Sequence, residues 1–319
     1  MTAYRELGRL ALAREAVDRA TAHRFDPDWL AAAWDSPATR VLVVSEGRAL
    51  VRFAEGRADL LFVSPAEAPP GVRFLLGAGP DGVAYFGVDA PLDQASPDGQ
   101  RGQRAPDGSS VRPASLRQVG ALLGDRDAGL LTHAIALANW HDTHTHCPIC
   151  GTPTTVNPGG HSTTCPRDGT EHFPRTDPAV IMLVTDPADR CLLAHNKAWP
   201  QRRVSILAGF VDPGESAEHA VVREVSEETG ITVGRVSYLG SQPWPMPRSL
   251  MLGFHALAEG GQRIRVDADE IGEAHWYSRE QLRESLEARE LALPPPVSIA
   301  RQIIETWYGG ELPDGANFE

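Results

Sequence analysis

Three glutamates, Glu224, Glu227 and Glu228, close the stretch GFVDPGESAEHAVVREVSEETGI from Gly209 to Ile231. Read as a helix at about 100° per residue with Ala217 at zero, the apolar Ala217, Ala220, Val221, Val222 and Val225 average near about 40°. Glu228 falls at about 20° and Glu224 at about 340°, inside that apolar stripe, and Glu227 at about 280°, on its edge. An ordinary surface helix turns its charges the other way. Like charges four residues apart repel, by roughly 3 kcal/mol at about 5 Å and an effective dielectric near 20. Such a face needs a cation, and clustered carboxylate oxygens suit Mg²⁺ or Mn²⁺. Arg223 stands beside Glu224 and could hold one carboxylate by a forked hydrogen bond. The competing reading is a solvated acidic helix. The angular placement and the surrounding glycines speak against it.

The elements around this face follow from local signals. Pro213 and Gly214 supply a turn, the helix runs from about Ser216 to Thr229, and Gly230 ends it in the left-handed conformation. Before it, AVIMLVTD (179–186) and CLLAHN (191–196) read as paired strands turned by DPADR, followed by VSILAGFV. After it come strands in VSYLG, LMLGFHALA and AHWYS, and a last helix around 298–308. Further upstream, VLVVS (41–45), LLFVS (60–64) and VAYFGVDA (83–90) read as strands, and residues 95–110 as an exposed, mobile insertion. AGLLTHAIALANWHD (128–142) reads as a helix. The expected fold class is α/β (α+β): an N-terminal α/β domain over 1–127 for packing or dimerisation, a linker helix and small cysteine-bearing segment over 128–175, and a second α/β domain over 176–319.

The chain has 319 residues, 42% hydrophobic and 23% charged, the composition of a globular protein. Its net charge of −12 is poorly suited to sequence-independent binding along a nucleic-acid backbone. No apolar run reaches the roughly 20 residues of a membrane span, and the first residues lack a signal-peptide core, so a cytoplasmic location and no membrane partner are expected. In a reducing compartment, Cys147, Cys150 and Cys165 point to metal binding rather than disulfides. Cys191 lies in an expected core strand and reads as structural.

SQPWPMPRS (241–249) places a proline at every second position around Trp244. Proline fixes φ and removes a donor, so the run is neither helix nor central strand. It reads as a stiff loop, either a platform for a flat ligand or a plug for the core.

Taken together, Gly209, Glu215 and Arg223-Glu224-Val225-Ser226-Glu227-Glu228-Thr229-Gly230-Ile231 resemble the complete Nudix box. The resemblance implies a Nudix fold, with a mixed sheet sandwiched by helices, and hydrolysis of a nucleoside diphosphate linked to another moiety. It implies that Glu224, Glu227 and Glu228 bind divalent metal and that Glu270 assists the metals or the base. Which carboxylate is the general base stays open.

With SQPWPMPRS following, the chain resembles the NADH pyrophosphatases, also called NAD-capped RNA hydrolases. Met246 stands where that pattern carries phenylalanine. The resemblance implies hydrolysis of NADH or NAD⁺ to nicotinamide mononucleotide and AMP, and the same cut at the 5′ end of NAD-capped RNA. Phe210 and Trp244 would line the nicotinamide pocket, and Phe173 would be contributed by the second subunit of a homodimer. Gln242, Ser249, Ala300 and Glu228 would also meet the substrate. HCPICG (146–151) and TTCPRDG (163–169) resemble the knuckles of a zinc ribbon in which Asp168 replaces the fourth cysteine. The expected set for one zinc per chain is Cys147, Cys150, Cys165 and Asp168, with His161 or His172 as competing donors and a metal-free ribbon as the other outcome. Two further readings of the whole chain are a broader ADP-ribose or nucleotide-sugar hydrolase and a non-catalytic zinc-ribbon adaptor.

Overall fold

The computed structural model describes residues 7–14, 16–95 and 109–315. Most of the stretch 95–110 therefore lies outside the described residues. The chain forms two compact units. One comprises Leu12–Thr176 together with Trp244–Arg248. The other comprises residues up to Ala11, Asp177–Pro243 and those from Ser249 on.

In the first unit, helix α1 (Pro27–Asp35) precedes strands β1 (Arg40–Ser45), β2 (Arg48–Ala54), β3 (Arg57–Leu60), β4 (Val72–Ala78), β5 (Ala84–Asp89) and β6 (Ser110–Ser115). Their order is β3-β2-β1-β5-β4, with β6 on β2. Among the described strands of this sheet only β1 and β5 run parallel, Val41 opposite Phe86. Val41–Val44 are buried, as befits a central strand. The strand expected over 60–64 does not form. The chain leaves β2 after Leu60 and crosses to β1, where Val63 makes a single bridge to Val41. β2 and β4 go beyond the sequence reading. Short α2 (Leu116–Val119) leads to α3 (Asp125–Thr143), which packs on β1, β4 and β5. Three two-residue strands, β7 (Thr155–Val156), β8 (Thr163–Thr164) and β9 (Glu171–His172), then form a small separate sheet.

That small sheet is tied closely to the larger one. Leu75 donates its N–H to the Gly159 carbonyl at 3.0 Å, and His161 Nε2 donates to the Leu75 carbonyl at 2.7 Å. His141 Nε2 on α3 donates to the Gly160 carbonyl at 2.8 Å. A Cβ at Gly159 would sit 2.1 Å from the Arg24 carbonyl oxygen, and one at Gly160 2.5 Å from that of Arg73. Only glycine permits this approach.

The second unit is built on β10 (Asp177–Thr185), β11 (Cys191–Asn196), β12 (Leu207–Phe210), β13 (Val233–Trp244), β14 (Ser249–Ala258) and β15 (Ile271–Tyr277). The order is β13-β14-β10-β11-β15, with β12 on β10. β10 runs parallel to β14 from Asp177↔Ser249 to Thr185↔Leu257, so the sheet is mixed. β10 and β11 pair only at Thr185↔Cys191, because β12 takes the other half of that edge of β10. Side chains alternate along β10. Val180, Met182 and Val184 join Val221 and Val225 of α4 (Ala217–Thr229) in one core. Ile181 and Leu183 join Leu282 and Leu286 of α5 (Arg279–Glu287) and Ile303 and Trp307 of α6 (Ile299–Tyr308) in the other. Helices thus cover both faces of the sheet. Cys191 is fully buried in the second core, where desolvation raises its thiol pKa strongly.

Candidate active site and metal centre

α4 starts with Ser216 Oγ accepting the His219 N–H and ends at Gly230, φ 66°. Burial along it follows the angular reading. Glu228, closest to the apolar direction, is 6% exposed; Glu224 is half-buried; Glu227 is exposed. Gly209 on β12 makes room for the cluster. A Cβ there would lie 2.0 Å from Glu224 Cδ, so any side chain would displace that carboxylate.

Arg223 organises the rest, though its forked pair is with Glu215 rather than Glu224. Its Nε and Nη2 donate to the two Glu215 oxygens at 2.9 and 2.8 Å, and Nη2 also to the Phe210 carbonyl at 2.9 Å. Nη1 donates to Glu224 Oε1 at 2.8 Å and Glu227 Oε2 at 3.0 Å. These bonds hold Glu215 below the usual carboxylate range. Glu224 is nonetheless raised, because burial outweighs the Arg223 bond. Glu228 is pushed up to about 8, first by burial and then by the charges of Glu270, Glu224, Glu227 and Asp267. Its Oε2 is buried and accepts no hydrogen bond. Glu270 lies in the turn before β15 and its Oε1 accepts from Asn196 Nδ2 at 3.2 Å. Asp267, in the run VDADE, escaped the sequence reading although its carboxylate neighbours announce it. A buried carboxylate oxygen without a donor, among four other negative groups, fits a divalent cation held by oxygen.

The other expected substrate residues lie on separate elements. Phe210 is 59% exposed at the end of β12, and Ser249 is half-buried at the start of β14. Gln242 is fully buried and donates its Nε2 to the Val297 carbonyl at 3.1 Å. Ala300 is 2% exposed on α6. In the first unit, Trp244 is half-buried and Phe173 is 57% exposed.

The two knuckles repeat one backbone pattern. Gly151 N–H donates to the Cys147 carbonyl and Gly169 N–H to the Cys165 carbonyl, both at 2.9 Å. Cys147 N–H and Cys165 N–H donate to the Thr152 and Thr170 carbonyls, both at 2.8 Å. Both glycines have positive φ, 70° and 74°. Asp168 thus occupies the second knuckle's equivalent of Cys150. Donor atoms of Cys147, Cys150, Cys165 and Asp168 lie within 4.8 Å of one another. Cys150 and Cys165 sulfurs are 3.5 Å apart, and Cys147 Sγ is 3.8 Å from Asp168 Oδ2. Tetrahedral zinc with bonds of about 2.3 Å separates donors by about 3.8 Å, so the set fits the ion. His161 is engaged with Leu75, and neither it nor His172 joins the cluster.

A family profile described as the NUDIX domain matches residues 175–295. The NADH pyrophosphatase zinc ribbon domain matches 142–173, and the NADH pyrophosphatase-like rudimentary NUDIX domain matches 38–140. The fold and the box on α4 define a Nudix hydrolase, a class that works with divalent metal. Over 310 residues, 94% of this chain and 95% of the relative, the sequence is 42% identical to the NAD-capped RNA hydrolase NudC of Mycobacterium bovis (strain BCG / Pasteur 1173P2). The NudC of Mycobacterium tuberculosis (strain ATCC 25618 / H37Rv) matches at the same identity and coverage. The NAD-capped RNA hydrolase NUDT12 of Pongo abelii is 40% identical over 197 residues, 58% of this chain and 42% of that one. The chain belongs to the zinc-ribbon family of NADH pyrophosphatases and NAD-capped RNA hydrolases.

Proposed function

We propose that this enzyme cleaves the diphosphate bond of NADH and NAD⁺ to nicotinamide mononucleotide and AMP, and removes NAD caps from RNA by the same cut. The observation that carries the reading is the buried, donor-free Glu228 oxygen in a complete Nudix box, in a chain aligned with NudC over nearly its full length. Glu224, Glu227, Glu228 and Glu270 would hold Mg²⁺ or Mn²⁺. Such an ion neutralises diphosphate oxygens and lowers the pKa of an attacking water. Arg223 fixes the carboxylates in place before substrate arrives, which spares reorganisation during the reaction.

Phe210 and Trp244 are assigned to the nicotinamide ring, where stacking contributes about 1–3 kcal/mol per base in nucleic-acid sites. Ser249 is assigned to the substrate as well. Gln242 and Ala300, both buried, are assigned to the substrate with it. Phe173 is assigned to the partner subunit's site in a homodimer. Cys147, Cys150, Cys165 and Asp168 hold one structural zinc per chain in this reading. Residues 1–127 serve packing and dimerisation, 128–175 carry the ribbon and 176–319 the chemistry. Among the described residues no helix is long and apolar enough to cross a membrane. We place the enzyme in the cytoplasm, where reduced thiols remain available to zinc. The −12 charge supports contact with the cap and few nucleotides beyond it.

The test is product analysis after incubation with Mg²⁺ and either NADH or NAD-capped RNA, with Glu227→Gln as control. Nicotinamide mononucleotide released from both by the native protein alone is the expected result. Cleavage of ADP-ribose at equal kcat/KM, with no preference for NADH, would overturn the substrate assignment.

A further inference from the structure

The tip of the proline loop is short of backbone donors. Pro243, Pro245 and Pro247 have no N–H, so the carbonyls around them must find donors elsewhere. One is internal: Met246 N–H donates to the Trp244 carbonyl at 2.7 Å. Two come from α3, about a hundred residues away in sequence. Asn139 Nδ2 donates to the Pro245 carbonyl at 2.9 Å and to the Pro247 carbonyl at 3.0 Å. A side-chain amide has two N–H groups, and both are committed to this one loop.

A second contact engages the loop's side chains. Arg117 of α2 sets its guanidinium carbon 5.3 Å from the centroid of the Trp244 ring, within cation–π range. Its Nε donates to Met246 Sδ at 3.3 Å. Thioether sulfur is a weak acceptor. The phenylalanine of the related pattern offers no such sulfur, so Met246 suits a neighbouring arginine. Beside the ring that the proposed function gives to nicotinamide, Asn139 thus holds the carbonyls of the next two prolines, and Arg117 meets the face of the ring itself.

We propose that Asn139 and Arg117 are positioning residues that hold Trp244 in one orientation. These two contacts thereby set the preference for dinucleotides bearing nicotinamide over those that lack it. The inference rests on the assignment of Trp244 to the nicotinamide ring. A purely structural staple would alter stability, or all substrates together. A positioning role alters KM for NADH and leaves ADP-ribose alone.

The experiment uses the full-length enzyme with Asn139→Ala, and with Arg117→Ala as a variant that removes an exposed side chain and leaves the core intact. Amide hydrogen exchange at Met246 reports the loop, and steady-state kinetics report the site. Asn139→Ala is expected to speed Met246 exchange and to raise KM for NADH about tenfold, equivalent to about 1.4 kcal/mol. Its kcat, and both constants for ADP-ribose, stay within about twofold. Arg117→Ala is expected to act in the same direction by about threefold. In a Trp244→Ala background neither substitution should add to the effect on NADH. Unchanged Met246 exchange in both variants would overturn the clamp. Equal KM changes for NADH and ADP-ribose, where Trp244→Ala separates the two, would overturn the positioning role. If Trp244→Ala itself moved both substrates equally, the nicotinamide assignment would fall and the specificity claim with it. Met246 exchange would still decide the clamp on its own.

Discussion

Asp127 on α3 and Glu228 on α4 are both acidic residues inside a folded unit, 4% and 6% exposed. Asp127 is provided for by the chain itself. Its Oδ2 accepts the Leu60 N–H at 2.9 Å and its Oδ1 accepts Arg126 Nε at 2.8 Å. Glu228 faces other carboxylates, and one of its oxygens accepts nothing. Burying a charge without a partner is costly, so the second arrangement persists only where something outside the chain completes it. A buried acid with protein donors at both oxygens is architecture. One left bare among like charges is where the proposed cation would sit.

The contrast is most sharply tested by substituting both acids. Glu228→Gln and Glu227→Gln should each lower kcat at least about a hundredfold with NADH while the circular dichroism spectrum is kept. Chelation of divalent metal should abolish activity, and Mg²⁺ or Mn²⁺ should restore it. Activity that survives both would dissolve the distinction. A similarly direct check concerns Asp168, the ribbon's carboxylate. Asp168→Ala should lose zinc from about one per chain, while Asp168→Cys should hold it against about tenfold more chelator, both read by metal analysis.

On the architectural side, Asp127→Ala strands a buried Leu60 N–H and should cost about 2 kcal/mol. Denaturant unfolding would register it, with kcat per folded molecule unchanged. The smallest effect belongs to Asp89, which burial and the neighbouring Asp142 push up to about 6. A raised carboxyl pKa gives stability that is full below the unfolded value of 3.8 and lost as pH rises through about 6. Asp89→Asn should therefore gain about 2–4 °C in Tm at pH 8 and nothing at pH 3.5. A gain at pH 3.5 instead would reverse the assigned sign.

The carboxylate-bearing helix α4 is the most legible part of the sequence. Its limits, its cap at Gly230 and the burial ranking of three glutamates all follow from one period and one glycine. The Asp168 knuckle was legible too, because its turn repeats that of Cys147. The first sheet was harder. RALVRFA interrupts its apolar residues with Arg52, and VRFLLGA is too short a run for periodicity to separate strand from helix. LLFVS has strand composition but crosses between neighbours. Arg223 reads from the sequence as a forked partner for Glu224, whereas its fork on Glu215 depends on how the turn before α4 folds back. Asn139 and Arg117 were invisible, since nothing local couples a residue on α3 to a proline carbonyl a hundred positions on. Such pairs are set by tertiary packing, which composition and spacing do not encode.

The glycines at 159 and 160 carry a consequence for how this protein can be taken apart. With Leu75, His141 and His161 stitched across them, the cysteine-bearing segment is a graft rather than a detachable bead. Excised by itself it would bare two flush backbone seams and a histidine with no acceptor. Metal alone would have to replace that lost scaffolding, so its affinity measured in a peptide would understate what the intact chain achieves.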